Sequence, residues 1–222
     1  MGVLTPPERS ALSLPENISP PLARALAAKG YETLTPVQSA IIEDETAGRD
    51  LLVEIRAVSV NPVDAKVRAS APVEAGDHRV LGYDAAGVVK AVGPEVTLFQ
   101  PGDAVFYAGA LDRPGTNAEF HLVDERIVGR KPESLSFEQA AALPLTAITA
   151  YEAMLHRMKV QEPVPGAANA ILIIGGAGGV GSIAIQLARE LTDLTVIATA
   201  SRPETQAWIR DLGAHHVIDH SQ

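Results

Sequence analysis

Five of the seven residues from Gly175 to Gly181 are glycine, and nothing else in the chain limits its fold as much. Just before them, Ile171–Ile174 is a short β-branched apolar run, the composition of a strand buried on both faces. From Ser182 the apolar spacing turns helical, with Ile183, Leu187 and Leu191 on one face, and Leu194–Ala200 reads as a second strand. Strand, glycine turn, helix and strand make a βαβ unit. In that context Gly176, Gly178 and Gly181 fill the G-x-G-x-x-G spacing of a dinucleotide-binding turn. One glycine lets the chain turn sharply, one lets backbone N–H groups approach a pyrophosphate, and one lets helix and strand pack closely. Unpaired N–H groups at the helix start, where Gly179 and Val180 lie, and the helix dipole favour the bound anion.

Two other readings of this stretch fare worse. The uncharged run Ala170–Ala188 has the length of a membrane span. Its glycines, at about 1 kcal/mol each relative to Ala, would cripple a helix at its centre. A glycine turn with no ligand remains the other alternative. The end of the second strand then bears on which dinucleotide is meant. An acid there would bind the 2′-hydroxyl of NAD, whereas Arg accommodates a 2′-phosphate. The strand ends Thr199-Ala200-Ser201-Arg202, with no acid, and Ser201 and Arg202 suit the phosphate of NADP.

Composition closes several classes. A net charge of −9 argues against a nonspecific nucleic-acid surface. With no cysteine, disulfides and thiolate zinc sites are excluded. The N-terminus carries Pro6 and Pro7 and no basic stretch followed by an apolar core, so a cytoplasmic protein is expected. His216 and His220 would share a strand face but stand roughly 13 Å apart along it, too far for one tetrahedral zinc.

Residues 1–50 are expected to be helical. Ser19-Pro20-Pro21 starts one helix that Gly30 ends, and Thr35-Pro36 starts another running to about Thr46. Within them, LARALAAKGYETLTPVQ (Leu22–Gln38) resembles the Q-motif region of DEAD-box RNA helicases, over roughly residues 12–53. The resemblance implies adenine recognition by Gln38. The phosphate loop G-x-x-x-x-G-K-[ST] that should follow is absent, and the first fifty residues hold seven acids against four bases. Gln38 therefore reads as a helix-surface residue, and a helicase-derived interaction module without ATPase activity is an alternative reading of the chain.

From Gly48 onward the motifs change. GRDLLVEIRAVSVNPVDAKVR (Gly48–Arg68), LGYDAAGVVKAVG (Leu81–Gly93), PGDAVFYAG (Pro101–Gly109) and LPLTAITAYEAM (Leu143–Met154), followed by the glycine turn, resemble the medium-chain dehydrogenase/reductase superfamily, nearest to its zinc-independent quinone oxidoreductases. Short strands at Leu52–Val60, Ala85–Val92, Ala104–Tyr107 and Ala118–Val123 suit a small barrel. Ser136 with Gln139 forms a capping box that opens the following helix. Pro203–Leu212 reads as a helix and His216–Asp219 as a third strand. The fold expected is α/β: a helical segment over 1–50, a partial GroES-like β-barrel over 51–135, and the first βαβαβ half of a Rossmann fold over 136–222. GRDLLV (Gly48–Val53) fits both resemblances, so a chimera joined there, truncated at both ends, is the expected origin.

What the second resemblance implies is zinc-independent hydride transfer from NADPH to a quinone or enone. Where zinc-dependent relatives carry ligands, this chain has Val60-Asn61 and Gly82-Tyr83-Asp84. By resemblance Asn61 hydrogen-bonds near the nicotinamide or substrate, Asp64 orients the loop, and Tyr83 lines the cleft as a candidate proton donor. Thr146 passes near the cofactor and joins Gly176, Gly178, Gly179, Val180, Gly181, Ser201 and Arg202 in the binding set. Read from the residues alone, Asn61-Pro62 is equally an ordinary turn starter and Tyr83 a buried barrel tyrosine. The partners expected are the small-molecule quinone or enone and, where sheet edges need covering, a second copy of the chain as a homodimer; no nucleic acid, membrane or metal is expected. An inactive nucleotide-binding fragment is the rival reading.

Overall fold

A computed structural model of the chain describes residues 48–70, 79–219 and 221. The helices expected over 19–46, Gln38 and His220 lie outside them. The chain divides between Ala142 and Leu143 into two compact units.

The first unit is an antiparallel sheet of five strands: β1 (Asp50–Ser59), β2 (Asp84–Val92), β3 (Ala104–Ala108), β4 (Phe120–Asp124) and β5 (Val128–Arg130), in the order β4-β1-β2-β3-β5. Alternation drives it: Leu51, Val53, Ala85, Val89, Val105, Tyr107 and Val123 point into one core. Two register shifts, at Leu52/Val53 and between Ile55 and Ala57, curl β1 against β2. Gly87 is forced by the same closeness, since a Cβ there would stand 2.3 Å from the Glu54 carbonyl oxygen across the pair. This sheet is the partial GroES-like barrel that the sequence predicts. Strand β5 is one that the pattern did not indicate. The other face takes the short helix α2 (Phe137–Ala141), whose Ala140 and Ala141 pack on Ala86. Its capping box is in place, with Ser136 Oγ accepting from the Gln139 N–H at 3.2 Å and Gln139 Oε1 accepting from the Ser136 N–H at 2.9 Å.

Helix α1 (Pro62–Ser70) was not expected. The Asn61-Pro62 step is a helix entry, with Pro at the first helical position, where its missing N–H costs nothing. Two residues on, the Asp64 carboxylate reaches back to the Asn61 backbone N–H at 2.7 Å and closes the entry.

The second unit begins with α3 (Pro144–Tyr151) and one π-helical turn (Glu152–Arg157). It then forms a parallel sheet of β6 (Ala170–Ile173), β7 (Thr195–Thr199) and β8 (His216–Ile218), with α4 (Gly179–Leu191) and α5 (Pro203–Asp211) as the crossovers. This is the βαβαβ arrangement that the sequence predicts. The run 170–188 is therefore part strand and part helix, and no helix of the described residues is long and apolar enough to cross a membrane.

Two expectations need correction here. The buried stripe of α4 is Gly181, Ala184, Ile185 and Ala188, with Ile183 and Leu187 only flanking it and Leu191 exposed, because small residues let the helix approach the sheet. Nor is β6 buried on both faces: Ile173 is buried, whereas Leu172 is 54% and Ile174 78% exposed. Helices α3, α4 and α5 all contribute to the core on the Ile173, Val196 and Ala198 side, leaving the other side open.

Candidate functional site

In the second unit the candidate centre is the turn between β6 and α4. Gly175 takes the left-handed conformation (φ +68°) that an L side chain resists. The sharp-turn role thus falls one residue before the motif triplet. The turn is pinned from β7, since the Gly175 N–H donates to Thr199 Oγ1 at 2.9 Å and the Gly176 N–H to the Thr199 carbonyl at 3.0 Å. Thr199 is a residue that spacing rules did not mark, because its contact is across the sheet. A Cβ at Gly181 would stand 2.4 Å from the Gly175 oxygen, and one at Gly176 would stand 3.0 Å from Ala198 Cβ. These two glycines serve packing. At Gly178 a Cβ would meet one atom within 4 Å, the Gly175 oxygen at 3.3 Å, so this position is less crowded than the other two.

Helix α4 begins at Gly179, three residues earlier than the spacing suggested, and its N-cap Gly178 supplies no side-chain cap. The N–H groups of Gly179, Val180 and Gly181 lie in the first turn, where an α-helix has no internal partner for them. With no side chain at Gly178 or Gly179 in front of them, these donors fit a pyrophosphate. Thr146 lies beside them, its Cγ2 3.3 Å from where a Gly179 Cβ would stand. The lone tryptophan, Trp208 on α5, also reaches this helix start and donates from Nε1 to Ser182 Oγ at 3.0 Å. Ser201 and Arg202 follow β7 and are exposed, as a phosphate-reading pair must be. Arg202 is not alone there, for its Nε lies 3.3 Å from Glu204 Oε1.

In the first unit the structure brings Asn61, Asp64 and Asp84 together. Asn61 Nδ2 donates to Asp84 Oδ2 at 2.8 Å, while its backbone N–H is held by Asp64. Asn61 and Asp64 are each 7% exposed and Asp84 is fully buried. Asp84 is a site residue that local pattern could not reveal, since it meets Asn61 only when β2 pairs with β1. Tyr83 is buried just before β2. Its carbonyl accepts from the Gly109 N–H at 2.8 Å, and those of Gly82 and Leu81 accept from Thr116 and Asn117. Gly82 (φ +104°) has no room for a Cβ, which would lie 2.5 Å from Asn117 Oδ1. Behind this segment Tyr107 and His121 share a buried hydrogen bond of 3.1 Å.

The Asn61 amide turns its nitrogen to Asp84, and an amide NH2 is no metal ligand. Among the described residues no group of three or more His, Cys, Asp and Glu side chains comes together.

Comparison with known proteins agrees with this layout. Residues 47–133 match the alcohol dehydrogenase GroES-like domain. A zinc-type alcohol dehydrogenase-like protein of Staphylococcus aureus is 50% identical over 174 residues, covering 78% of this chain and 51% of that protein. An NADPH-dependent alkenal/one oxidoreductase of Arabidopsis thaliana is 37% identical over 84% of this chain and 49% of its own length. Among solved structures, a protein of Rhizobium etli described as a zinc-dependent alcohol dehydrogenase is 73% identical, with a TM-score of 0.77, over 79% of this chain and 51% of that one. A quinone oxidoreductase of Coxiella burnetii is 35% identical, with a TM-score of 0.66, over 78% and 54%. The chain spans about half the length of the curated relatives it matches.

Proposed function

Over the matched residues the chain belongs to the medium-chain dehydrogenase/reductase superfamily, and from that premise we propose an NADPH-dependent oxidoreductase that reduces a quinone or enone without zinc. The observation that carries it is the uncapped, glycine-lined start of α4, with Ser201-Arg202 after the next strand. When bound, NADPH supplies the hydride, and the protein's part is binding, orientation and electrostatics.

In this reading the first-turn N–H groups of α4 hold the pyrophosphate and Thr146 bounds the site beside Gly179. Ser201 and Arg202 read the 2′-phosphate. Asn61, Asp64 and Tyr83 serve the reacting end of the ligands. The same motifs in relatives named quinone and alkenal/one oxidoreductases support the substrate class. The absence of cysteine from the chain and the Asn61–Asp84 pairing support zinc independence.

The test is a titration of the purified 222-residue chain with NADPH and with NADH, followed by Trp208 fluorescence. NADPH-selective quenching, lost in Arg202→Ala by about tenfold or more as expected for a charge-assisted phosphate contact, supports the cofactor assignment. Oxidation of NADPH on adding a quinone or an enone then supports the reaction. Binding without turnover favours the nucleotide-binding fragment, and binding of neither cofactor overturns the reading.

A further inference from the structure

We propose that Asp84 is a positioning residue: it locks the Asn61 amide with its carbonyl oxygen outward, so that Asn61 presents an acceptor to an N–H or O–H donor on the bound ligand. This rests on the ligand-contacting role given to Asn61 above.

Hydrogen-bond bookkeeping carries the inference. Asn61 has three N–H protons, one on the backbone and two on the side chain. The backbone N–H is held by Asp64 Oδ2 at 2.7 Å, and Nδ2 by Asp84 Oδ2 at 2.8 Å. A carboxylate only accepts, so it decides which end of the amide faces it, an assignment that coordinates alone leave open at Asn. Flipping the amide would set its oxygen against a fully buried carboxylate. Among the described residues, Asn61 Oδ1 takes no hydrogen bond and is not among the atoms sealed from solvent. Three residues along α1, Asp64 Oδ1 is buried without a partner. The cluster therefore leaves Asn61 Oδ1 as an unsatisfied acceptor that is not sealed from solvent, with the backbone N–H and one amide proton of Asn61 committed to carboxylates.

A quinone or enone carbonyl cannot pair with that oxygen, because it too only accepts. The group recognised is a donor: a carboxamide N–H or a hydroxyl. Within the proposed reaction two sources carry one, the carboxamide or hydroxyl groups of the nicotinamide cofactor and a hydroxyl on the substrate.

The lock is read first on the ligand-free chain. In nitrogen-15 NMR the Asn61 side-chain amide, identified by its loss in Asn61→Ala, is expected to exchange slowly and to shift and exchange faster in Asp84→Asn. Freely exchanging protons, or no change in Asp84→Asn, would overturn the lock. If Asp84→Asn does not fold, Asp84→Glu, which keeps the acceptor on a longer arm, is expected to preserve the slow exchange in part. The donor is read by binding and turnover. NADPH is compared with its 3-acetylpyridine analogue, which lacks the carboxamide N–H groups, and 1,4-naphthoquinone with its 5-hydroxy derivative. The wild type is expected to favour one donor-bearing member by about tenfold in affinity or kcat/KM, and the pair that shows it names the source. Asn61→Ala and Asp84→Asn are expected to abolish that preference. A preference kept in Asn61→Ala, or none in the wild type, would overturn the acceptor role. Should no quinone or enone be reduced at all, the proposed reaction fails, whereas the NMR and cofactor-affinity arms still decide the lock and its polarity.

Discussion

At the scale of single residues, buried polar groups and glycines set the sharpest constraints. His121 Nε2 faces the Pro114 carbonyl at 3.0 Å, and a carbonyl only accepts, so Nε2 carries the proton and Nδ1 accepts from the Tyr107 hydroxyl. Burial pushes the His121 pKa down to about 4 and the Tyr107 phenol up. An unfolded chain takes up a proton near pH 6.5 that the folded one refuses, so the His121 contribution to stability should fall as the pH drops from about 6.5 to 4 and level off below. At about 1.4 kcal/mol per unit the full loss is on the order of 3 kcal/mol. Urea unfolding across this range checks it, and His121→Gln should flatten the slope while lowering stability at pH 7. The glycine turn yields a paired prediction. Gly181→Ala drives a Cβ into the Gly175 backbone and should cost about 1–3 kcal/mol together with NADPH binding. Gly178→Ala meets only the Gly175 oxygen, at 3.3 Å, so it should melt closer to wild type than Gly181→Ala yet bind NADPH at least tenfold more weakly. Equal melting losses in both variants would contradict these separate roles.

Between elements, Glu125 ties together parts of the barrel unit that sequence leaves far apart. It lies in the short 3-10 turn after β4, fully buried. Oε2 accepts from the N–H groups of Thr97 (2.9 Å) and Leu98 (2.8 Å), and Oε1 from Arg49 at 3.1 Å. Burial alone would raise its pKa, but these donors outweigh that and hold it below the usual carboxylate range. Glu125→Leu strands two backbone donors and should cost about 2–4 kcal/mol, with faster hydrogen exchange at Thr97 and Leu98. Helix entries were mostly readable because they rest on contacts within four residues. The Ser136–Gln139 box is such a case, whereas α1 was missed because its signals, Pro62 and Asp64, also read as a turn.

For the molecule as a whole, the second unit leaves one face of its sheet open, with Leu172, Ile174 and Ile218 exposed on β6 and β8 or beside them. Apolar patches of this kind promote association. The purified chain should therefore show a mass that rises with concentration in light scattering, and Leu172→Lys with Ile174→Glu should suppress the rise. A mass independent of concentration in the unaltered chain would refute the idea.

How much was legible depended on how far each interaction reaches along the chain. The βαβαβ order, the glycine turn, the barrel strands and the capping box were legible because periodicity, glycine and caps act over a few residues. The family resemblance rests on motifs of the same short range. Tertiary structure alone decided the rest. Asp84 meets Asn61 across 23 residues because β1 and β2 pair. Thr199 pins Gly175 across 24 because β6 and β7 do. Which face of β6 is covered depends on where three helices pack. A hydrogen bond's partner and a side chain's burial are properties of the assembled sheet, and no local pattern encodes them.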